Sequence, residues 1–398
     1  MTVEILSNPD QPRSAEDRYV GHVQGDRPGP TLIVVGSLHG NEPAGVVGLR
    51  RAFARLPDGK GLCGEVLGLA GNREALGRGQ RWVDDDLNRI WTRQRVAEVR
   101  GLRESGADLS ALTVEEREMA ELEEAITGAV EAARAADQPV YVLDLHTTSG
   151  AGPSFCVLED TLPARRLARA LESSLVLGLE EELSGTLTHW LANQGVVAVG
   201  FEAGQHEDPA SGERAEAAIW LALEGLGILA KGSRPEVAKA RRRLVTERRN
   251  LPRVVDVRYR HPVEAGDGFE MAPGFQTFEK VEEGQTLALD RQGPVKAPLD
   301  GLLLMPLYQS QGEDGFFIVR KISPLWLKLS VGLRRLRLSR AIHLLPGVKK
   351  HPELEGSFLV DRRVARVRAL DLFHLLGFRR RGPLKGRYLE MVRRKHDV

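Results

Sequence analysis

Apolar residues along this chain fall into two rhythms that change near residue 250. Up to about residue 230, short unbroken apolar runs alternate with longer amphipathic stretches. Residues 31–35 (TLIVV) form a β-branched run ending at Gly36, the pattern of a strand covered on both faces. After a loop, 44–54 predicts a helix with Pro43 at its start. Strands are predicted at 65–69, 140–145, 154–158 and 196–201, and helices at 162–175 and 210–229. Residues 93–137, rich in Glu, Arg and Ala, predict charged helices on the outside. Such alternation points to an α/β layer with a parallel or mixed sheet.

Beyond a basic helical linker at 234–249, the runs become short, β-like and broken by Gly and Pro: VVDVRYRHPV, QTLALD, GPVKAPLDGLLLMPL and GFFIVRK. No helix-period segment interrupts them, so they predict a small β-barrel or sandwich. Within them, KAPLDG (296–301) resembles a turn of biotinyl- and lipoyl-type barrels but offers no lysine in the attachment context, and it reads as structural. Further on, LWLKLSVGL (325–333) alternates like a strand. The expected division is 1–250, 251–321 and a C-terminal extension, 322–398.

Composition narrows the class. The 398 residues are 42% hydrophobic and 28% charged, a balance that folds, and no apolar run approaches the ~18 residues of a membrane span. Residues 1–10 are mixed and acidic, without the pattern of a secretory signal. Two cysteines, Cys63 and Cys156, are too few for a disulfide framework or an all-cysteine zinc site. Together these predict a cytoplasmic protein. The net charge of +1 conceals an asymmetry: 322–398 carries 19 basic against 6 acidic residues, which leaves −12 on the rest. Arg334–Arg335, Arg362–Arg363, 379–381 and 393–395 could meet phosphate or anionic lipid, but the acidic body of the same chain or of a second subunit is the preferred partner.

The densest chemical signal is GSLHGNEPAG, 36–45, where a buried strand ends and His39 and Glu42 follow in the loop before a helix. Ligand sites of open α/β sheets form at such strand ends. The strand VYVLDLHTTSG also ends in a histidine, His146. Two histidines and a glutamate suit a catalytic zinc with an open fourth position, one ion per chain. Asp144, two residues before His146 on the same strand face, could orient its imidazole.

HGNEPAG (39–45), GNREA (71–75), DLNRIW (86–91), DLHTTSG (144–150) and GFEAGQ (200–205) occur in the order found in the succinylglutamate desuccinylase/aspartoacylase family, zinc-dependent deacylases related to the zinc carboxypeptidases. The resemblance spans roughly 30–320 and implies a carboxypeptidase-like mixed sheet with flanking helices, followed by a small β-barrel-like unit. It implies that His39, Glu42 and His146 hold zinc, and that Glu202 is the general base and acid. It further implies that Arg73 polarises the scissile carbonyl and that Asn88 and Arg89, supported by Asp86, hold a substrate carboxylate. Tyr308 corresponds to a tyrosine that the β-rich unit sends into the site. On residue type alone, Glu202 reads as a strand-end carboxylate, Arg73 and Arg89 as surface ion-pair partners, and His189 and His206 as structural or exposed histidines.

One departure bears on substrate. Relatives that cleave acetylaspartate carry an arginine about ten residues before the catalytic glutamate, whereas 188–194 reads THWLANQ. The expectation is therefore zinc-dependent hydrolysis of an N-acyl amino acid or similar small carboxylate-bearing amide, with acetylaspartate a poor substrate. The alternatives are a carboxypeptidase or amidase acting on a peptide or cell-wall fragment, and a nucleic-acid- or membrane-surface-binding protein with a relic zinc site. No nucleic acid is expected as partner, and a homo-oligomer through the basic extension is open.

Overall fold

The computed structural model describes residues 17–336, 342–352, 357–361, 368–380 and 388–393. Residues 1–10 and the basic residues Arg362, Arg363, Arg381, Arg394 and Lys395 lie outside the described residues. In chain order the strands are β1 (Tyr19–Gln24), β2 (Arg27–Gly36), β3 (Cys63–Ala70), β4 (Val140–Thr148), β5 (Phe155–Leu158), β6 (Ser174–Leu177), β7 (Val197–Gln205), β8 (Val254–Pro262), β9 (Glu270–Met271), β10 (Lys280–Val281), β11 (Thr286–Asp290), β12 (Gly293–Lys296), β13 (Gly301–Leu304), β14 (Asp314–Lys321), β15 (Val348–Lys350), β16 (Phe358–Asp361), β17 (Phe378–Arg380) and β18 (Tyr388–Arg393). The helices are α1 (Ala44–Phe53), α2 (Arg73–Arg78), α3 (Arg93–Glu104), α4 (Val114–Ala135), α5 (Leu162–Ala170), α6 (Leu187–Asn193), α7 (Ala210–Gly225), α8 (Pro235–Arg248), α9 (Pro324–Arg335) and α10 (Arg368–Leu375).

Eleven strands form one mixed sheet in the order β1-β3-β2-β4-β7-β5-β6-β8-β14-β13-β10. At its centre β3, β2, β4 and β7 run parallel. The apolar run of β2 explains that position. Leu32 and Val34 pack into the core on one face, Ile33 and Val35 into the core on the other, and all four are fully buried. Each contributes about 1.5–3 kcal/mol by leaving water. The sheet continues past residue 250 through β8, β14, β13 and β10. β14 alternates, with Phe317 and Val319 facing Phe155 and Val176 while Phe316 and Ile318 face a separate three-stranded sheet, β12-β11-β9, across a second core.

Three local expectations change. The predicted helix at 162–175 ends at Ala170, and Ser174–Leu177 becomes strand β6 because it pairs with both β5 and β8. The charged stretch 93–137 is not all outside: Glu115, Glu116, Glu118 and Glu123 of α4 are buried. The alternating segment 325–333 is helical, not a strand. Ser323 caps α9, Pro324 suits its first turn, and the side facing the body carries Leu327, Ser330 and Arg334 at helical spacing, leaving Leu325 and Leu329 exposed. Polar residues face inward there because they have buried partners. Arg334 and Arg379 from the extension converge with Arg165 on the Asp160 carboxylate, and Ser330 donates to the carbonyl of Leu375. The rest of the extension forms a small four-stranded sheet, β15-β16-β18-β17, over its own core.

Candidate active site

Two strand ends and one loop build the site. β2 stops at Gly36, Ser37 takes a left-handed turn at φ 61°, and the chain swings His39 and Glu42 back over the sheet before α1 starts. The turn needs close backbone approach. A Cβ on Gly36 would sit 2.6 Å from the Gly45 carbonyl carbon, and one on Gly40 would sit 2.1 Å from that of Ala75. His146 arrives from β4, the neighbour of β2, and Glu202 lies opposite His146 in the β4–β7 register.

The Glu42 carboxylate bridges both imidazoles, 2.8 Å from His39 Nδ1 and 3.0 Å from His146 Nδ1, and accepts from the Thr147 N–H at 2.9 Å. The opposite ring nitrogens face carboxylates, His39 Nε2 to Asp86 and His146 Nε2 to Asp144, each at 3.0 Å. All three candidate ligands are buried, and their ligating atoms lie within 4.8 Å of one another. Burial opposes ionisation of Glu42, but the adjoining histidines outweigh it and hold the carboxyl well below its usual range. His146 is held above its usual range by Asp144 and Glu42 against its burial. Burial pushes Glu202 upward, and Glu42 and Asp144 add to the shift while His146 opposes it. Two imidazoles, one carboxylate and an outer carboxylate behind each ring make a donor set that fits zinc.

These groups open into a cavity of about 120 Å³, also lined by Arg81, Asn88, Arg89, Glu159, Glu180, His189, His206 and Gln309. Asn88 accepts the Leu187 N–H at 2.9 Å and so ties its loop to the start of α6. Arg89 donates to Asp314 at 2.8 Å. Both histidines read as structural or exposed are at the cavity. His206 accepts from Thr147 Oγ1 at 2.7 Å and donates to Gln309 at 3.1 Å, and burial lowers its pKa.

Two expected residues are elsewhere. Arg73 reaches α4 instead of the cavity, donating to Glu118 at 3.3 Å and Glu121 at 2.6 Å, because these glutamates form an acidic pair beside its helix start. Tyr308 is 38% exposed and its hydroxyl donates to Ala272 O at 2.6 Å, which turns the ring away. The guanidinium beside the ligands is that of Arg81, 3.3 Å from both Glu42 and Asp86. Sequence reading passed over it, although it stands in the same loop as DLNRIW. Glu115 was missed as well: fully buried on α4, it accepts the N–H groups of Val83, Asp84 and Asp85 at 2.8–3.0 Å and shapes that loop.

Residues 28–219 match the succinylglutamate desuccinylase/aspartoacylase catalytic domain. That match covers 192 of the 398 residues. A curated relative in the family, succinylglutamate desuccinylase of Pseudomonas paraeruginosa, is 39% identical over 64 residues, 16% of this chain and 19% of that protein. The chain thus aligns with about a fifth of that relative's length. Among solved structures, the family member from Rhodobacter sphaeroides has a TM-score of 0.52 at 18% identity, covering 77% of this chain and 88% of that one. The product-bound ectoine utilization protein EutE of Ruegeria pomeroyi gives 0.52 at 20%, covering 75% and 86%. Succinylglutamate desuccinylase of Vibrio parahaemolyticus gives 0.52 at 17%, covering 75% and 83%. These three share the fold. No helix among the described residues is long and apolar enough to cross a membrane.

Proposed function

We propose that the chain is a zinc-dependent deacylase that hydrolyses the amide of an N-acyl amino acid or similar small carboxylate-bearing amide. One observation carries the reading: His39, Glu42 and His146 converge at the head of a buried cavity with the Glu202 carboxylate on the adjoining strand. His39, Glu42 and His146 would hold one ion per chain, with Asp86 and Asp144 fixing the two rings. When bound, zinc supplies Lewis acidity that strengthens water as a nucleophile near neutral pH.

Glu202 takes the proton of the attacking water and returns it to the departing nitrogen, from its place beside His146 on the adjoining strand. Arg81 stabilises the negative charge that grows on the carbonyl oxygen, a role worth roughly 3 kcal/mol for a single fixed donor. Arg81 takes the place expected for Arg73, because it is the guanidinium that reaches the ligands. Asn88 and Arg89 orient the substrate carboxylate, with Arg89 held by Asp314 in readiness. Cys63 and Cys156 are both unbonded, which goes with a reduced cytoplasmic setting.

The test is a panel of N-acetyl and N-succinyl amino acids assayed with zinc-loaded protein and with Glu202→Gln. The reading expects hydrolysis by the first and about 10²–10⁴-fold less by the second. No turnover of any acyl amino acid by protein holding stoichiometric zinc overturns it.

A further inference from the structure

We infer that the end of the cavity away from the metal ligands is a subsite for a cationic group, so that the preferred substrate carries an amine or guanidine beside its acylated nitrogen. The inference rests on the deacylase reading and specifies its substrate class.

The geometry starts from β5, which runs antiparallel to β7 with Phe155 opposite Glu202 and Val157 opposite Gly200. Moving along β5 from Phe155 therefore leads away from the proposed proton shuttle. The four residues to Glu159 cover roughly 13 Å of extended chain. Val157 and Gly200 line the cavity between the two ends, and Glu159, Glu180 and His189 line it beyond them. At this end Glu159 lies 3.1 Å from His189 Nδ1.

Glu180 is the telling group. Its side chain is only 7% exposed, yet neither carboxylate oxygen has a hydrogen-bond partner among the described residues. Its nearest cation, Arg379 Nε, is 3.5 Å away. Arg379 donates instead to Asp160 at 2.7 Å and Glu181 at 3.2 Å. Burial, the largest effect, drives the Glu180 carboxyl up to about 8, with Arg379 opposing. A buried carboxylate without donors is costly, and an ammonium or guanidinium entering the cavity would supply the missing hydrogen bonds.

The charges around it exclude the opposite ligand. The guanidinium groups that line the cavity among the described residues, Arg81 and Arg89, are engaged with Glu42 and Asp86 and with Asp314. The segment 188–194 brings Thr188 and His189 to the cavity and no arginine. A second substrate carboxylate would meet Glu159 and Glu180.

Isothermal titration calorimetry on the full chain, metal-free and zinc-loaded, tests the subsite with Nα-acetyl-lysine, its near-isostere Nα-acetyl-norleucine and N-acetylaspartate. The lysine derivative should bind about tenfold tighter than the norleucine derivative, with N-acetylaspartate weakest. Glu180→Gln should shrink that preference to about threefold or less without lowering the thermal midpoint. Glu159→Gln should reduce it independently. Equal binding of the lysine and norleucine derivatives, or a preference that survives both substitutions, overturns the subsite. Hydrolysis measured on the same samples separates this from the parent reading. Selective binding of Nα-acetyl-lysine with no hydrolysis of any acyl amino acid retains the subsite and sinks the deacylase. Hydrolysis of all three with equal efficiency retains the deacylase and sinks the subsite.

Discussion

At the metal end of the cavity two buried carboxylates, Glu42 and Asp86, are answered on several sides. Glu42 is shared by two histidines, the Thr147 N–H and Arg81, and Asp86 is held by His39 and the Asn88 N–H. Toward the other end, two buried carboxylates twenty residues apart have opposite fates. Asp160 gathers Arg165, Arg334 and Arg379, while Glu180, 3.5 Å from Arg379, has no hydrogen bond among the described residues. The first end is built from the loop after β2, the adjacent ends of β4 and β7, and the loop that carries Arg81 and Asp86. The second is built from β5, the turn after β6, α6 and the distant extension. Saturated carboxylates hold structure; a buried one lacking donors leaves room for a ligand.

The sharpest way to break the contrast is at the metal end. His146→Ala should abolish turnover and cut zinc occupancy strongly while the fold persists, since the strand ends it joins are set by the sheet; elemental analysis and circular dichroism read both. Glu202→Gln should lower kcat by about 10²–10⁴-fold with KM and zinc content little changed, as steady-state rates on metal-quantified samples will show. Arg81 against Arg73 comes next. Arg81→Ala should cost about 10²–10³-fold in kcat, whereas Arg73→Ala, which loses only partly exposed pairs to α4, should cost under about threefold.

The far end is sharpened by stability rather than rate. Three arginines hold Asp160 well below the usual carboxylate range despite its burial. Asp160→Asn should therefore destabilise by about 3–5 kcal/mol near neutral pH, a loss visible in chemical denaturation. In the parent protein this contribution is present above the unfolded carboxylate's pKa and disappears as pH falls below about 4. Glu180 has the reverse sign. Its folded pKa of about 8 lies above the unfolded value, so the folded state binds more protons between about 4.5 and 8 and loses stability as pH rises through that window. Glu180→Gln should flatten that decline, measurable as a narrower gap between thermal midpoints at pH 5 and pH 8.

How much of this was legible follows from the same contrast. His39, Glu42, Asp144, His146, Asn88, Arg89 and Glu202 were found from motifs, and all of them reach the cavity or its immediate support. Arg73 misled because its motif places it correctly at the start of α2 but cannot show that Glu118 and Glu121 of α4 stand beside it. Segment 325–333 misled for a related reason. Its apolar alternation is real, but the side that packs is chosen by Ser330 and Arg334, whose partners lie far off in the chain.

The sequence by itself determined the strand-ending turns, the ligand types and their order, because a buried β-branched run followed by small residues and a His–Glu pair constrains its own neighbourhood. It also determined that an acidic body and a basic extension share one chain. Only the tertiary structure decided which arginine meets the ligands, that Glu115 shapes the loop carrying Asp86, and that Arg379 gives its hydrogen bonds to Asp160, Glu181 and Asp256 and none to Glu180. The reason is physical. A charged side chain's role depends on which partners share its low-dielectric surroundings, and those are brought together by packing over long sequence distances.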